Sequence, residues 1–273
     1  MKLLQVSQEE HKQIQLLELK ILEEFDRICK KHQLKYTIAY GTLLGAVRHH
    51  GFIPWDDDID VCMPRNDFEQ LRQVYRNDLG KDYFYQCNAT DPEYFYLMDK
   101  IRLNGTVFKE SFVSKYAIHH GIYIDIFPID KIPNTNFKKN IQYFAFHFFR
   151  TGLQAKFLMS SARTGLKKIA ALILKCLYVF FSKPFLYKQA HKIASMYNDV
   201  NCREITCFFS PYKKKDVYNI EMMQVIEYRQ FESIKVASVA KYDEMLSLLY
   251  GDYMKLPPLK DRETKHTVTE LVL

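Results

Sequence analysis

Four aspartates stand within five positions of the chain, at Asp56, Asp57, Asp58 and Asp60. Carboxylates this close repel one another, so a folded chain either solvates them fully or gathers them around a cation. Apolar residues occupy every second position from Ile59 to Met63, which is the period of a half-buried strand. The period puts Asp58 and Asp60 on one face, with Cα atoms roughly 6.5 Å apart. Oxygen ligands suit Mg²⁺ or Mn²⁺, so the run predicts a divalent metal site.

Two other interpretations of the acidic run compete with a metal site of this kind. An acidic run is commonly a solvated loop, and the alternating apolar pattern is what argues against that state here. The run also places aspartates at positions 1, 3 and 5 of an EF-hand loop. That loop requires Gly at position 6 and Glu at position 12, where this chain has Val61 and Asp67. The EF-hand interpretation is therefore discounted.

Upstream of the acidic run, Gly41 and Thr42 precede Leu43, Leu44 and Val47, whose spacing predicts a short helix. A glycine turn that leads into a helix exposes backbone N–H groups, which commonly bind phosphate. Together with the carboxylates that follow, this pair predicts a metal-assisted phosphate site. Arg48 lies between the two halves and is a candidate phosphate ligand. No role is assigned to His49, His50, Asp56, Asp57 or His266.

A second strand is predicted at residues 121–128, and Asp125 lies within it among large apolar residues. A buried carboxylate in such a strand is costly unless it is paired or bound to a metal. Asp125 is therefore a candidate site residue. Asp130, which follows Pro128, is expected in a loop or a helix cap.

Other patterns predict the elements around these residues. Ser7 and Glu10 form a capping box for an amphipathic helix, whose apolar positions run from Ile14 to Ile28. Residues 36–40 predict a strand. Residues 94–103 and 106–113 flank an Asn-Gly pair and predict a β-hairpin. Lys100 and Arg102 share one face of its first strand, as solvated charges or as phosphate ligands.

One block of the chain has an unusual composition. Residues 131–198 contain twelve Lys or Arg and no Asp or Glu, although the whole chain has a net charge of only +7. The most apolar stretch in the block, residues 169–181, is shorter than the roughly 20 residues that a bilayer crossing requires. We interpret the block as a helical, interfacial segment that binds an anionic membrane surface.

The composition bounds the class of protein. A chain of 273 residues with 48% hydrophobic residues is globular, in one large domain or two small ones. The first residues show no apolar leader, and the six cysteines show no regular spacing. Both observations favour a cytoplasmic protein with reduced thiols.

Several motifs carry a resemblance to a known family. The chain reads GTLLGAVRHHGFIPWDDDIDV from residue 41, KIRLNGT at 100–106, GIYIDIFPID at 121–130 and YGDYMKLPP at 250–258. The first string resembles the signature of the LicD family, which includes the fukutin-type proteins and belongs to the polymerase-beta-like nucleotidyltransferases. The later strings agree with that family in order.

The resemblance implies an α/β (α+β) fold, a nucleotidyltransferase-like mixed sheet flanked by helices. Residues 1–130 would form the catalytic core, 131–198 a basic apolar helical insertion and 199–273 the rest of the catalytic domain. Asp58, Asp60 and Asp125 would be catalytic and would bind the Mg²⁺ or Mn²⁺ cofactor. The implied donor-binding residues are Gly41, Thr42, Arg48, Lys100 and Arg102.

The resemblance also implies a metal-dependent phosphotransferase of the phosphorylcholine transferase type. Such an enzyme moves a phosphoalcohol from a CDP-linked donor to a cell-surface glycan or glycolipid, here at the inner face of the cytoplasmic membrane. Two alternatives stay open, a nucleotidyltransferase acting on RNA or a small molecule and a non-catalytic peripheral membrane scaffold. The dense apolar content of the basic block argues against a nucleic-acid partner.

Overall fold

The structure is a computed structural model that describes residues 3–157, 176–264 and 266–273. Its α-helices are α1 Gln8–His32, α2 Tyr40–Arg48, α3 Arg65–Asp78, α4 Asn136–Phe157, α5 Lys183–Ser195 and α6 Tyr242–Tyr250. Its strands are β1 Thr37–Ile38, β2 Asp60–Pro64, β3 Tyr83–Gln86, β4 Asp99–Leu103, β5 Val107–Glu110, β6 Tyr123–Ile132, β7 Glu204–Thr206, β8 Val217–Asn219, β9 Ile226–Phe231, β10 Ile234–Val239 and β11 Val268–Val272.

The main sheet is mixed. Its order is β1-β2-β6-β4-β3, with β7 also paired to β6 and β8 paired to β7. The pairing of β2 with β6 is parallel, whereas the other pairs in this sheet are antiparallel. Helices and this sheet contribute to one hydrophobic core. The predicted α+β fold with a mixed sheet is therefore confirmed.

Helix α1 begins as the sequence predicts. Ser7 accepts a hydrogen bond from the Glu10 backbone N–H, and the Glu10 carboxylate accepts one from the Ser7 backbone, which completes the capping box. The apolar stripe from Ile14 to Ile28 is buried against β4 and β6. Glu18 lies on the same buried face, and this helix therefore brings a carboxylate into the interior.

The predicted β-hairpin around Asn104 and Gly105 is wrong. A turn is present at Gly105, whose φ is +79°. However, β4 pairs with β3 and β6, and β5 pairs with β11 near the end of the chain. The Asn-Gly pair therefore predicted the turn correctly. The strands on either side of it, β4 and β5, do not pair with each other.

The prediction for Asp130 is also wrong, because β6 continues through Pro128 to Ile132. Asp130 is fully buried within the strand. Arg65 donates to both of its carboxylate oxygens, at 2.8 and 2.6 Å, and Asn198 donates to one of them at 2.8 Å. Asp130 is thus a strand residue in a hydrogen-bonded ion pair and not a loop or cap residue.

The basic block of residues 131–198, which is also free of acidic residues and is called the acid-free block below, contributes α4 and α5. These two helices pack against each other. Their inner faces, which include Phe146 and Leu186, join the same core as the main sheet. The interfacial helix predicted for residues 169–181 lies largely outside the described residues. Within the described part of the chain, no helix is both long and apolar enough to cross a bilayer.

Candidate active site

The acidic run is held by the start of α2 and by β2. A Cβ added to Gly41 would overlap Asp56 Oδ2, so glycine is what lets this carboxylate approach the first turn of the helix. Thr42 is buried, and its Oγ1 accepts a hydrogen bond of 2.8 Å from the Asp60 backbone N–H. The Ala39 N–H donates to the Asp60 carbonyl at 2.9 Å. These bonds fix the point where β2 begins.

Two of the predicted carboxylates are neighbours across the sheet. Asp60 of β2 and Asp125 of β6 are register partners in the parallel pair, so their side chains leave the same face. The Asp125 N–H donates to the Ile59 carbonyl at 2.8 Å, which fixes this register. The parallel pairing of β2 with β6 therefore brings together two aspartates that are far apart in the sequence.

Lys100 is the buried cationic neighbour of this pair. Its Nζ lies 2.5 Å from Asp125 Oδ1 and 3.3 Å from the centroid of the Tyr123 ring. Burial lowers the pKa of Lys100, and the carboxylate of Asp125 opposes that change. Lys100 therefore neutralises Asp125 through one oxygen and leaves its other oxygen for a different partner.

Burial, together with the negative charge of the site, raises several pKa values. Burial, then the charges of Asp58 and Asp125, raise the pKa of Asp60 well above its usual value. Burial is also the main cause that raises the pKa of Asp58, and His266 acts in the opposite direction. The pKa of Glu18 on α1 is raised by its burial and by the charges of the acidic run.

These carboxylates suit a divalent cation. Oxygen atoms from Asp56, Asp57 and Asp58 all lie within 4.8 Å of one another. Glu18 is 2% exposed, and its Oε2 is buried without a hydrogen-bond partner in the described structure. An orphaned buried oxygen among repelling carboxylates is relieved when a hard cation enters. The donor set therefore fits Mg²⁺ or Mn²⁺.

His266 joins the site from the C-terminal part of the chain. The pairing of β11 with β5 brings its Nδ1 to 2.9 Å from Asp57 Oδ1, and its Nε2 lies 3.8 Å from Glu110 Oε1. Burial lowers the pKa of His266, but the hydrogen bond and the charge of Asp57, with other nearby carboxylates, outweigh it and raise the pKa to about 9. The contact with Asp57 therefore favours the imidazolium form of His266 at neutral pH.

The carboxylates open onto a cavity of about 1090 Å³. Asp56, Asp57, Asp58, Asp60 and Asp125 all contribute to its wall. Aromatic side chains form much of the remainder, including Trp55, Phe95, Tyr96, Phe112, Tyr212 and Tyr250. A large, mostly apolar cavity with a few convergent polar groups is typical of a small-molecule or cofactor site.

The predicted donor-binding residues do not all lie at the cavity. Gly41 and Arg48 line it, and Arg48 Nη1 donates to the Tyr253 carbonyl at 2.8 Å. Thr42 and Lys100 are buried behind it with the partners described above. Arg102 is 1% exposed and donates to Gln86 Oε1 and, at 2.6 Å, to the Gly121 carbonyl. These hydrogen bonds connect β4 with Gln86 of β3 and with Gly121, and Arg102 does not line the cavity.

Sequence reasoning missed three residues of this region, namely Glu18, His266 and Arg150. Glu18 had a signal, because it is an acid at helical spacing with the apolar stripe of α1, four residues after Ile14 and three before Ile21. His266 had none, because its contacts depend on a pairing far along the chain. Arg150 was counted among the surface charges of the basic block, although it lines the cavity.

Comparison with known proteins gives a consistent result. Residues 33–158 match the profile of the LicD/FKTN/FKRP nucleotidyltransferase domain. The chain is 30% identical over 268 residues to the lipopolysaccharide cholinephosphotransferase LicD of Haemophilus influenzae, which covers 95% of this chain and 97% of that protein. It is 28% identical over 136 residues to an uncharacterized protein of Rickettsia prowazekii, which covers 42% of this chain and 51% of that protein.

Proposed function

The chain belongs to the LicD family, and on that premise we propose that it is an enzyme that transfers phosphocholine to a cell-surface glycan or glycolipid. The similarity to the Haemophilus influenzae cholinephosphotransferase extends over nearly the whole of both chains. The observation that carries the proposal is the juxtaposition of Asp60 and Asp125 across β2 and β6, beside a cavity of about 1090 Å³. The donor in this proposal is CDP-linked.

In this proposal Asp58 and Asp60 hold Mg²⁺ or Mn²⁺, with Asp125 beside them. A bound divalent cation supplies positive charge that neutralises the donor's phosphate oxygens. Gly41 and Arg48 contribute the first turn of α2 and a guanidinium to the same cavity. These groups bind and orient the donor so that its phosphorus faces the acceptor hydroxyl.

Asp125 is the proposed general base. Its Oδ1 is paired with Lys100, so Oδ2 is the atom that accepts the proton of the acceptor hydroxyl. The acceptor oxygen forms a bond to the phosphorus of the phosphocholine group as the bond from that phosphorus to the CMP oxygen breaks. CMP leaves, and the proton remains on Asp125 until it passes to solvent.

The test is a mass spectrum of the products formed from a panel of CDP-linked alcohols with Mg²⁺ and a surface-glycan acceptor. We expect CMP and a phosphocholine-modified glycan from the wild type, and neither product from Asp60→Asn. Release of pyrophosphate from a nucleoside triphosphate, with the nucleotide left on the acceptor, would overturn phosphocholine transfer in favour of nucleotidyl transfer.

We also propose that the acid-free block binds the anionic inner surface of the cytoplasmic membrane. The outer face of α4 carries Phe137, Ile141, Phe144 and Phe148, of which Phe137 and Phe144 are 76% exposed. Phe180, shortly before α5, is 92% exposed. Exposed apolar side chains beside basic residues are typical of interfacial helices, and each basic residue near an anionic surface contributes about 1 kcal/mol.

Flotation with liposomes tests the membrane proposal. We expect binding to vesicles that contain an anionic lipid, weaker binding at high salt, and a loss on Phe144→Asp. Leu248→Asp is the matched control, because Leu248 is 50% exposed on α6, outside the acid-free block. Equal binding to neutral vesicles, or no binding to either kind, would contradict the proposal.

A further inference from the structure

Arg150 is a cationic residue of the cavity wall that the predicted site does not include. It lies on α4, and the cavity lining also contains Leu153 and Gln154 of that helix. Its neighbours at the preceding and following turns, Phe146 and Leu153, are almost fully buried. The buried side of α4 therefore carries Arg150 towards the cavity, while the opposite side carries the exposed phenylalanines.

The guanidinium of Arg150 has no partner in the described structure, in which no hydrogen bond, ion pair or cation–π contact involves it. A carboxylate partner cannot come from residues 158–175, because that stretch contains no Asp or Glu. The side chain is half-buried. Among the described residues, Arg150 thus holds a positive charge against the cavity without a hydrogen-bond or ion-pair partner.

Other cations of the cavity differ from Arg150. Arg48 donates to the Tyr253 carbonyl, and Arg262 donates to the Pro257 carbonyl at 2.8 Å and lies 5.5 Å from the centroid of the Trp55 ring. Lys255 is exposed, so water solvates its charge. Arg150 alone among these four is both withdrawn from water and without a partner.

Such an arrangement has a physical cost that a ligand can offset. Burial lowers the pKa of Arg150, but a guanidinium in a protein keeps its proton. An unpaired, partly desolvated charge therefore destabilises the empty protein. Its planar set of N–H donors matches the oxygens of a phosphate group, which would restore the lost hydrogen bonds in a bidentate contact.

We propose that Arg150 is a phosphate-binding residue of this cavity and that it contacts a phosphate group of a substrate. The inference rests on the proposed function in taking the cavity as the substrate site. Two sources share this chemistry, the diphosphate of a CDP-linked donor and a phosphate carried by the glycan acceptor. The basic block thus serves the cavity as well as the proposed membrane surface.

Binding measurements on Arg150→Met and Arg150→Lys test this inference. Trp55 is the single tryptophan of the chain and lines the cavity, so its fluorescence reports ligand binding directly. One arm compares CDP with cytidine, and the other compares a hexose 6-phosphate with the same hexose. In each arm the Kd of the compound without phosphate is divided by the Kd of the phosphorylated compound. This ratio isolates the contribution of the phosphate to binding.

We expect Arg150→Met to reduce that ratio by roughly ten- to a hundredfold in at least one arm and Arg150→Lys to reduce it less. The arm that responds identifies the donor or the acceptor as the source of the phosphate. Lys255→Met is the matched control, because it removes an exposed cation of the same cavity, and we expect little change in either arm.

Thermal melts separate this role from a structural one. Removing an unpaired charge should leave the Tm of ligand-free Arg150→Met equal to or above that of the wild type. A lower Tm with unchanged ratios in both arms would overturn the inference, as would a wild type whose binding does not depend on phosphate in either arm. Failure of the proposed function is separate, since it appears as the absence of phosphocholine transfer by the wild type.

Discussion

The two halves of β6 each carry a buried aspartate, and the pair differ in how fully they are satisfied. Asp130 accepts hydrogen bonds from Nε and Nη2 of Arg65 and from Asn198. Asp125 has one cationic neighbour, Lys100, and faces the cavity. A strand can therefore hold a structural carboxylate and a candidate catalytic one five residues apart, and the number of hydrogen-bond donors around each distinguishes them.

The cationic partners extend this contrast. Arg65 retains its proton under all ordinary conditions, so its pair with Asp130 is permanent. Burial lowers the pKa of Lys100, so this side chain can give up its proton when its partner is lost. Breaking the first pair would leave a buried charge uncompensated, whereas the second pair contains a group whose pKa is lowered by burial.

The largest effect is expected at Asp60, the neighbour of Asp125 on β2. Asp60→Asn should lower turnover by roughly three orders of magnitude, because it removes a proposed metal ligand. Because burial and neighbouring carboxylates raise the pKa of Asp60, its ionised form destabilises the fold, and the variant should melt no lower than the wild type. Mg²⁺ should raise the Tm of the wild type more than that of the variant. Near-normal turnover would remove Asp60 from the metal site.

Asp130→Asn should have the largest effect on stability. It leaves the Arg65 guanidinium buried against a neutral amide, which costs about 3–5 kcal/mol of unfolding free energy. Urea denaturation measures the loss, and the folded fraction should keep its kcat. Glu69→Gln is the control, because Glu69 is the exposed partner of Arg65 and should contribute about 1 kcal/mol or less. Equal losses in the two variants would contradict the structural assignment of Asp130.

Asp125→Asn should lower turnover strongly and stability only moderately, which is the opposite of the effect expected for Asp130→Asn. Turnover should fall by roughly 100-fold or more, because the proposed base is lost. Stability should fall less than in Asp130→Asn, because Lys100 can become neutral. The variant should also retain more donor binding than Asp60→Asn, since a base acts in the transition state and a metal ligand also holds the bound donor. Wild-type rates for Asp125→Asn would make the two aspartates equivalent structural residues.

A smaller effect is expected at His266, which pairs with a third aspartate, Asp57. The pKa of His266 is raised to about 9 in the folded state, so its contribution to stability is complete below about pH 6.5 and is lost as the pH rises through 9. The full contribution is at most about 3 kcal/mol. Metal-free urea titrations between pH 6 and 10 should show this decline in the wild type and a flatter profile in His266→Gln. Parallel profiles would show that the pair does not form.

Some of this site could be predicted from the sequence because its signals are local. The alternation from Ile59 to Met63 and the lone Asp125 in an apolar strand depend only on strand period, although β2 begins at Asp60 and Asp58 precedes it. The capping box of α1 lies within four residues. Each of these features is fixed by side chains close in the chain, so the spacing of residue types is enough to find them.

The remaining features depend on tertiary contacts. The turn predicted at the Asn-Gly pair is present at Gly105, but β4 pairs with β6 and β5 pairs with β11, and no local spacing indicates those partners. Asp130 was assigned to a loop or a helix cap because it follows Pro128, and its partner Arg65, 65 residues away, gave no local signal. Arg150 resembled the other basic residues of its block, and only the packing of α4 reveals that it faces the cavity.

The contact between Asp57 and His266 has a consequence for how the protein reaches its folded state. These residues are 209 positions apart, and the pairing of β11 with β5 that supports them includes a hydrogen bond between residues 160 positions apart. Closing so large a loop has an entropic cost that local helices and adjacent strands avoid, so such contacts form late. During refolding the main sheet should therefore form before the imidazolium reaches the acidic run. Secondary structure should recover ahead of enzymatic activity.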